Sequence, residues 1–349
     1  MSYKISPEIF FLIEKGQVLL WNCKTHEQFI LEQRYFLKLL ELSENDASED
    51  AVFSNLLDAG VILSDQDLKA LYWEGDLLAR LFHVGTKNTI TGDLSAQPQK
   101  FSQNYLQECA ELAKNVPHFF QEKDAPIINL PKASLTPLSQ KLSDVFMQRK
   151  TSRTFNGEPV SLEQLSNLLY ASFGLIHGDW HELAHRGLKI AGIRKASPSS
   201  GGLHAEEAYV VAYNVDGLKS GLYYYRPQDH SLNMLSLGHF EDQVIEFNKQ
   251  QFYSKGLAFG IYITARLDKY WWKYTHSRTY RVMLLDMGHV SQTCLLAATA
   301  LGIDTWITGA FNDTRVEDFL GIDGYKESVM LFVGGGHGDN MAFPEAFSL

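Results

Sequence analysis

Residues 271–302 read WWKYTHSRTYRVMLLDMGHVSQTCLLAATALG, and this stretch decides how the fold is interpreted. Apolar residues recur at three- and four-residue steps along its second half, which is the spacing of one helix face. Small residues fill many of the remaining positions, so we expect a helix that is buried nearly all round. Gly302 suits the left-handed position that ends such a helix. Lys273 and Tyr274 therefore precede a buried helix, a placement typical of an active site.

The composition excludes several classes of protein. The chain has 349 residues, enough for two domains, and its net charge of −10 argues against non-specific nucleic-acid binding, which needs a basic excess. None of the three cysteines forms a C-x-x-C pair, so neither a disulfide framework nor a metal site is predicted. No run approaches the ~20 apolar residues of a membrane helix, and the N-terminus lacks the apolar core of a signal peptide. We therefore expect a cytoplasmic protein.

The chain divides into three predicted segments. Residues 1–65 combine a hairpin pattern with two short helices, the outline of a winged-helix or peptide-clamp-like domain, which either binds a ligand or is a scaffold appendage without one. Residues 66–134 form a connector punctuated by Gly, Pro and Ser. Residues 135–349 alternate helices and strands. This alternation predicts an α+β domain, a mixed sheet of about five strands backed by helices, including the long central helix.

Local signals mark the starts of helices in the main domain. Ser161 and Gln164 have the spacing of a capping box, in which each side chain bonds the other residue's backbone N–H. Asn312 or Asp313 is the expected N-cap of a later helix. Both signals predict helices that begin directly after a short polar loop.

A compact group of hydrogen-bond donors lies at residues 149–153, which read RKTSR. Arginine offers a planar fork of donors and lysine a point charge, a combination that suits a phosphate group. The alternative is a solvated helix end whose cations interact favourably with the helix dipole. The spacing of these residues leaves both interpretations open.

A tight loop at residues 198–202, PSSGG, leads into a buried strand. Loops of this composition let backbone N–H groups approach a ligand closely. The same composition is also typical of plain turns. The loop is therefore a candidate binding element only in combination with the other motifs.

Taken in order, these motifs resemble the SagB-type dehydrogenase branch of the FMN-dependent nitroreductase family, which includes the McbC-like azoline oxidases. The resemblance is carried by RKTSRTF at 149–155, PSSGGLH at 198–204, WKYTHSRTYR at 272–281 and the LFVGGG ending. Residues 1–65 resemble, more loosely, the winged-helix or peptide-recognition extension of such enzymes. Lys150-Thr151 stands where the family more often has Arg-Ser.

The resemblance implies an FMN-dependent dehydrogenase that works as a homodimer with the flavin at the subunit interface. Its implied reaction is the oxidation of thiazoline or oxazoline rings on a ribosomal peptide to thiazoles or oxazoles. Lys273 and Tyr274 are implied as the base and proton relay. The implied FMN-binding residues are Arg149, Lys150, Thr151 and Arg153 at the phosphate, Pro198, Ser199, Ser200 and Gly201 along the ring, and Thr308 and Gly309.

Three functions stay open on the sequence. The first is azoline oxidation on a peptide, with the N-terminal segment as its docking surface and a cyclodehydratase as a partner. The second is flavin chemistry on a small molecule, as a desaturase or as a nitro or quinone reductase. The third is a non-catalytic scaffold subunit of a peptide-modifying complex. The Lys-Tyr pair favours oxidation over nitro reduction, and the basic cluster weighs against a scaffold without flavin.

Overall fold

The computed structural model describes residues 3–43, 49–71, 73–89, 98–179 and 193–338. The chain divides into two compact units, one formed by Met1–Asp93 with His276–Arg278 and the other by Leu94–Thr275 with Thr279–Leu349. The predicted segment boundaries near residues 65 and 134 stay predictions.

The N-terminal unit contains five strands and four helices within its described residues. They are β1 (Tyr3–Ile5), β2 (Ile9–Glu14), β3 (Gln17–Asn22), β4 (Gln28–Ile30), α1 (Gln33–Ser43), α2 (Ala51–Asp58), β5 (Ile62–Ser64), α3 (Asp65–Ala70) and α4 (Leu77–Gly85). Strands β2, β3 and β4 form an antiparallel meander, and β1 pairs with β5. Leu20, Leu39 and Phe53 are among the buried residues of a small core of its own.

The larger unit carries the central helix and the main sheet. Its helices are α5 (Pro98–Leu112), α6 (Leu142–Gln148), α7 (Leu162–Phe173), α8 (Glu241–Phe247), α9 (Leu267–Lys273), α10 (Arg278–Ala300) and α11 (Asp313–Leu320). Its strands are β6 (Ile127–Asn129), β7 (Val160–Ser161), β8 (Gly178–Asp179), β9 (Ile193–Arg194), β10 (Glu206–Ala212), β11 (Val215–Asp216), β12 (Gly221–Arg226), β13 (Ser231–Leu237), β14 (Phe259–Arg266), β15 (Asp304–Thr308) and β16 (Glu327–Gly336).

The main sheet has the order β15-β16-β14-β10-β12-β13-β6, and every pair of neighbours is antiparallel. The predicted α+β class, with helices backing a large sheet, is confirmed. The sheet differs from the expectation in having seven strands rather than about five, and in being antiparallel rather than mixed. One added strand is β6, which lies in the predicted connector and is too short, at three residues, to show an alternating pattern.

Helices cover both faces of this sheet, so its central strands are buried on both sides. Along β10, Val210 packs into the same core as α7 and α10, whereas Tyr209 packs into the core that contains α8 and α11. All seven residues of β10 are buried, which agrees with the predicted buried strand. Helices α9 and α10, which carry candidate site residues, therefore pack against a sheet whose central strands are fully buried.

The long helix begins at Arg278, so Lys273 and Tyr274 precede it as expected, and they lie at the end of a short helix that the sequence analysis did not predict. α9 ends at Lys273, residues 274–277 are not helical, and α10 begins at Arg278. The expected burial all round is wrong for one face of α10, because Leu284 is 46% exposed and Leu285 63%. An apolar pattern predicts which face of a helix must be buried. It does not predict whether the same chain or another molecule covers that face.

The predicted helix ends are confirmed. Gly302 has a φ of +73° after α10, the left-handed conformation expected there. Ser161 and Gln164 form the capping box that starts α7, and the Asn312 side chain accepts from the N–H of Arg315 at the start of α11. These ends depend on local chemistry alone, which is why a pattern can locate them.

None of the helices in the described residues combines the length and apolar content needed to span a membrane. Among the same residues, no His, Cys, Asp and Glu side chains are grouped in a way that could hold a metal ion. The three cysteines are buried and unbridged.

Candidate active site

The Lys273–Tyr274 pair lies where α9 ends, with Tyr274 as the C-cap residue. Both side chains are partly buried. The Lys273 ammonium donates a hydrogen bond of 2.9 Å to the backbone carbonyl of Gly201. The structure therefore brings the predicted base and the predicted ring-lining loop into direct contact.

Gly201 leaves the space that this contact needs. Its φ of +64° is in the left-handed region, and a Cβ added there would lie 2.5 Å from the Tyr274 hydroxyl and 2.7 Å from the Lys273 ammonium nitrogen. Any side chain at this position would displace the pair. Glycine at residue 201 is therefore required both by the backbone conformation and by the close approach of two functional side chains.

Asp286 of α10 anchors the loop at residues 199–201 through hydrogen bonds. Its carboxylate accepts hydrogen bonds from the Ser199 hydroxyl at 3.0 Å, the Ser200 N–H at 2.9 Å and the Tyr270 hydroxyl at 2.8 Å. The Asp286 side chain is almost completely buried. The Ser200 hydroxyl also donates to it at 3.2 Å, and a buried carboxylate with four donors fixes the position of a loop, because each donor would otherwise be left unsatisfied.

The sequence interpretation missed Asp286, although a signal was present. A lone acidic residue in a helix predicted to be buried must be paired, since an unpaired buried charge is costly. The N–H of Ser200 donates to Asp286, so this backbone group of the loop is engaged within the protein. Hydrogen bonds to Asp286 therefore hold this loop within the protein.

Burial shifts the proton affinities of the pair in opposite senses. Burial lowers the pKa of Lys273 below its usual value, because desolvation disfavours the charged ammonium. Burial raises the pKa of Tyr274, because desolvation disfavours the phenolate. Burial therefore makes Lys273 lose its proton more readily than a free lysine, and Tyr274 less readily than a free tyrosine.

Helix α5, part of the predicted connector, contributes two further residues to this cluster. The centre of the Tyr105 ring lies 6.0 Å from the Lys273 ammonium nitrogen. Cys109 lies one turn further along α5 and is buried. No sequence motif marked these residues, because their contact with the site depends on how α5 packs.

The basic cluster lies beside strand β15. Arg149 is the C-cap residue of α6, and the Ser152 N–H donates 2.9 Å to the carbonyl of Thr305. Thr151 forms a bridge with the same residue. The Arg153 guanidinium lies 5.8 Å from the ring centre of Tyr253. The segment of predicted phosphate-binding residues is thus anchored to β15 through its backbone.

Lys150 lines a cavity of about 390 Å³ together with Thr299, Gly302 and Asp304. Within the part of the chain that the structure describes, neither Arg149 nor Lys150 forms an ion pair with an acidic side chain. Cations left without an acidic partner next to a cavity are suited to bind an anion such as a phosphate.

Thr308 is the last residue of β15, and Gly309 comes directly after it. The Thr308 hydroxyl accepts a hydrogen bond of 2.9 Å from the Ala310 N–H, and a Cβ at Gly309 would meet only ordinary contacts. Both residues therefore lie at the end of β15, beyond Thr305, to which the backbone of the basic cluster is bonded.

The two groups of predicted site residues lie at different positions along α10. The loop at residues 199–201 is held by Asp286, whereas Lys150 shares a cavity with Thr299. At about 1.5 Å of rise per residue, the helix separates Asp286 from Thr299 by roughly 20 Å. One chain thus carries the Lys273–Tyr274 pair and the basic cluster at two separate places.

Comparisons with known proteins agree with this architecture. A protein of Methanocaldococcus jannaschii assigned as a nitroreductase is 30% identical over 193 residues, covering 54% of this chain and 89% of that protein. The trifolitoxin-processing protein TfxB of Rhizobium leguminosarum bv. trifolii is 32% identical over 142 residues, covering 40% of this chain and only 38% of that protein.

A solved structure of a protein assigned as a nitroreductase, from Anabaena variabilis, has a TM-score of 0.51 at 23% identity, covering 63% of this chain and 43% of that chain. At this identity the likeness supports the fold alone. The model of the nitroreductase family matches residues 146–337. Because this match covers more than half of the sequence and includes both groups of site residues, the chain belongs to the nitroreductase family.

Proposed function

We propose that the chain is an FMN-dependent dehydrogenase of the SagB type, which oxidises thiazoline or oxazoline rings of a ribosomal peptide to thiazoles or oxazoles. The observation that carries the proposal is the partly buried Lys273 amine, held 2.9 Å from the carbonyl of Gly201 in the loop assigned to the flavin ring. A base with a lowered pKa beside a flavin-binding loop suits a reaction that removes a proton and a hydride together.

Aromatisation of an azoline removes two hydrogens from adjacent atoms of the ring. When bound, FMN supplies the acceptor for the hydride. Lys273, in its neutral form, takes the proton from the neighbouring carbon. Tyr274 stays protonated and donates a hydrogen bond beside the amine. The hydrogens removed are thus divided between the cofactor and the protein, with dioxygen as the expected final electron acceptor.

The residues present fit FMN. Arg149, Lys150 and Arg153, with Thr151, would hold the phosphate, because three cations within five residues match its charge and two of them lack an acidic partner among the described residues. Pro198, Ser199, Ser200 and Gly201 would line the ring, in a loop already ordered by Asp286. Thr308 and Gly309 would contribute on the side of the basic cluster.

The separation along α10 supports a homodimer. The loop held by Asp286 and the cavity lined by Thr299 are separated by roughly 20 Å along α10, so we propose that they belong to two different FMN sites of one subunit. One flavin can contact both groups if the loop comes from one subunit and the basic cluster from the other. The exposed Leu284 and Leu285 on α10 and Phe146 and Met147 on α6 are apolar surface of the kind that a second subunit covers.

The similarity to a trifolitoxin-processing protein supports a substrate made by a natural-product pathway. Apolar side chains on β2, an edge strand of the N-terminal meander, support docking of a peptide: Phe11 is 38% exposed, Leu12 43% and Ile13 82%. The proposed reaction also requires an enzyme that forms the azoline ring, so a cyclodehydratase is the expected partner.

The test begins with the absorption spectrum of the purified chain and the mass of any ligand released on denaturation. The proposal requires bands of oxidised flavin and released FMN. It then requires that a synthetic peptide carrying one thiazoline lose two hydrogens when incubated with the holoprotein in air.

The other outcomes separate the alternatives. A protein that stays colourless after incubation with FMN would contradict the proposal and favour a scaffold subunit. Flavin that is reduced by NAD(P)H and reoxidised by a nitro compound or quinone, with no change in the peptide, would favour a small-molecule reductase.

A further inference from the structure

Lys269 is a buried lysine in the same helix as Lys273. Both residues belong to α9, and positions four residues apart lie on one face of a helix. The Lys269 side chain is 2% exposed, whereas Lys273 is partly buried. Lysine is rarely buried so completely, because its ammonium must find partners that offset the loss of water. The partners of Lys269 therefore indicate what this residue does.

The Lys269 ammonium contacts two other elements of the fold. It donates a hydrogen bond of 3.3 Å to the backbone carbonyl of His204, three residues after Gly201. It also lies 3.6 Å from one carboxylate oxygen of Glu207 on β10, whose side chain is 4% exposed. The other carboxylate oxygen of Glu207 accepts from the Tyr224 hydroxyl at 2.8 Å. Lys269 thus connects α9 both to the segment that follows the loop and to the central sheet.

The two lysines of α9 contact the same short segment, residues 201–204. Lys273 donates to the carbonyl of Gly201 at 2.9 Å, and Lys269 donates to that of His204 at 3.3 Å. The His204 N–H donates to the Ser199 hydroxyl at 3.0 Å, so this segment is bonded back to the start of the loop. Two contacts about one helical turn apart fix α9 against the loop, because a single contact would let the helix rotate about it.

We propose that Lys269 is a positioning residue of the active site, which fixes α9 against the loop and thereby holds the Lys273 amine at the Gly201 carbonyl. This inference rests on the proposed role of Lys273 as the base. It gives a role to a buried charge pair, Lys269 and Glu207, that takes no direct part in the proposed reaction.

A purely stabilising role is the alternative, and the charge pair allows the two roles to be separated. Lys269→Met removes the donor to His204 and leaves Glu207 buried without its nearest cation, so the urea midpoint of unfolding should fall by roughly 1 M. Lys269→Met combined with Glu207→Gln removes both charges, and most of the urea midpoint should return. Arg266, which also faces Glu207, keeps its two hydrogen bonds to Asp268. The contact to His204 is absent from both variants.

The first experiment does not need a substrate. The lysines of the holoprotein are labelled at the ε-carbon, and the NMR signal of Lys273 is assigned by its loss in Lys273→Met. Burial lowers the pKa of Lys273, so a helix that moves away from the loop should expose the amine and raise its titration midpoint by about one pH unit.

This rise should occur in Lys269→Met and persist in the double variant. Because the double variant removes one positive and one negative charge together, a persistent rise reports the position of the Lys273 amine rather than a change in net charge. Lys38→Met is the matched control, since Lys38 is 8% exposed and paired with Asp50 at 2.7 Å in the N-terminal unit. Loss of that pair should leave the midpoint of Lys273 unchanged.

The second experiment measures turnover of the thiazoline peptide. The kcat should fall by about 10- to 100-fold in Lys269→Met and stay low in the double variant, with KM and bound flavin little changed, because the base is misplaced while the binding groups remain. Recovery of kcat together with the urea midpoint in the double variant would overturn the inference, as would an unchanged titration midpoint of Lys273. A raised midpoint in a protein that oxidises no azoline would instead retain the positioning of Lys273 and refute the proposed function.

Discussion

The two groups of proposed site residues differ in how many of their polar side chains are hydrogen-bonded or paired within the protein. At one end, Lys273, Tyr274 and the loop at residues 199–201 are tied together by hydrogen bonds to Gly201 and Asp286. At the other end, Arg149 and Lys150 lack acidic partners among the described residues and lie beside a cavity. The first group is held by hydrogen bonds within the protein, whereas the second is the group that we propose to bind the FMN phosphate.

This difference separates two kinds of defect. Substitutions at the hydrogen-bonded end should change turnover or stability while the cofactor stays bound. Substitutions at the basic end should change cofactor affinity while the chemistry of a loaded site is preserved. Each prediction below tests one side of this comparison, beginning with the largest effect.

Replacing Lys273 by Met should have the largest effect. Methionine keeps much of the length of the side chain but has no amine, so the base is lost and kcat should fall by about 10²- to 10⁴-fold. The flavin spectrum should be unchanged, and Lys219→Met, at an exposed position, serves as the control. Loss of bound flavin together with activity would show that Lys273 holds the cofactor rather than acting as a base.

Replacing Asp286 by Ala should destabilise the hydrogen-bonded end. The substitution leaves the donors of Ser199, Ser200 and Tyr270 without their acceptor, which should cost roughly 3 kcal/mol of unfolding free energy. Urea denaturation of the holoprotein measures this loss, with Asp242→Ala at an exposed position as the control. An unfolding free energy equal to that of the wild type would show that the loop is ordered without Asp286.

Replacing Arg149 by Ala should act on the cofactor alone. Removing one charge-assisted contact to the phosphate should weaken FMN binding by roughly tenfold, measured by flavin fluorescence during titration of the apoprotein. Arg34→Ala, in a surface ion pair with Glu32, should bind FMN as the wild type does. At saturating FMN the kcat of Arg149→Ala should recover, and a kcat that stays low would contradict the division between the two ends.

The pH dependence of kcat should report the lowered pKa of Lys273. A base works in its unprotonated form, so the rate should rise as pH increases through that pKa. Because burial lowers the pKa, the midpoint of this rise should lie below the value of about 10.4 that is usual for lysine. A rise centred at or above the usual value would exclude Lys273 as the base.

Local chemistry made part of the fold predictable from the sequence. The capping box at Ser161 and Gln164, the N-cap at Asn312 and the left-handed Gly302 each depend on a few neighbouring residues. The short helix α9 was not predicted, because seven residues are too few to show a helical apolar period.

The site was predictable where motifs carry it and not where packing does. Lys273 and the loop containing Gly201 were identified separately, and the structure brings them into contact. Asp286 and Tyr105 reach the site from elements that no local pattern connects with it. Their roles follow from tertiary packing, which the spacing of residues along one sequence does not encode.

The separation of the two groups along α10 has a genetic consequence. If one flavin takes its loop from one subunit and its basic cluster from the other, a mixed dimer of Lys273→Met and Arg149→Ala has one site with both defects and one site with none. Random reassortment of two such impaired partners, assayed at limiting FMN, should give roughly a quarter of the wild-type rate. Two damaged alleles would then support each other in one cell, with more activity together than either has alone.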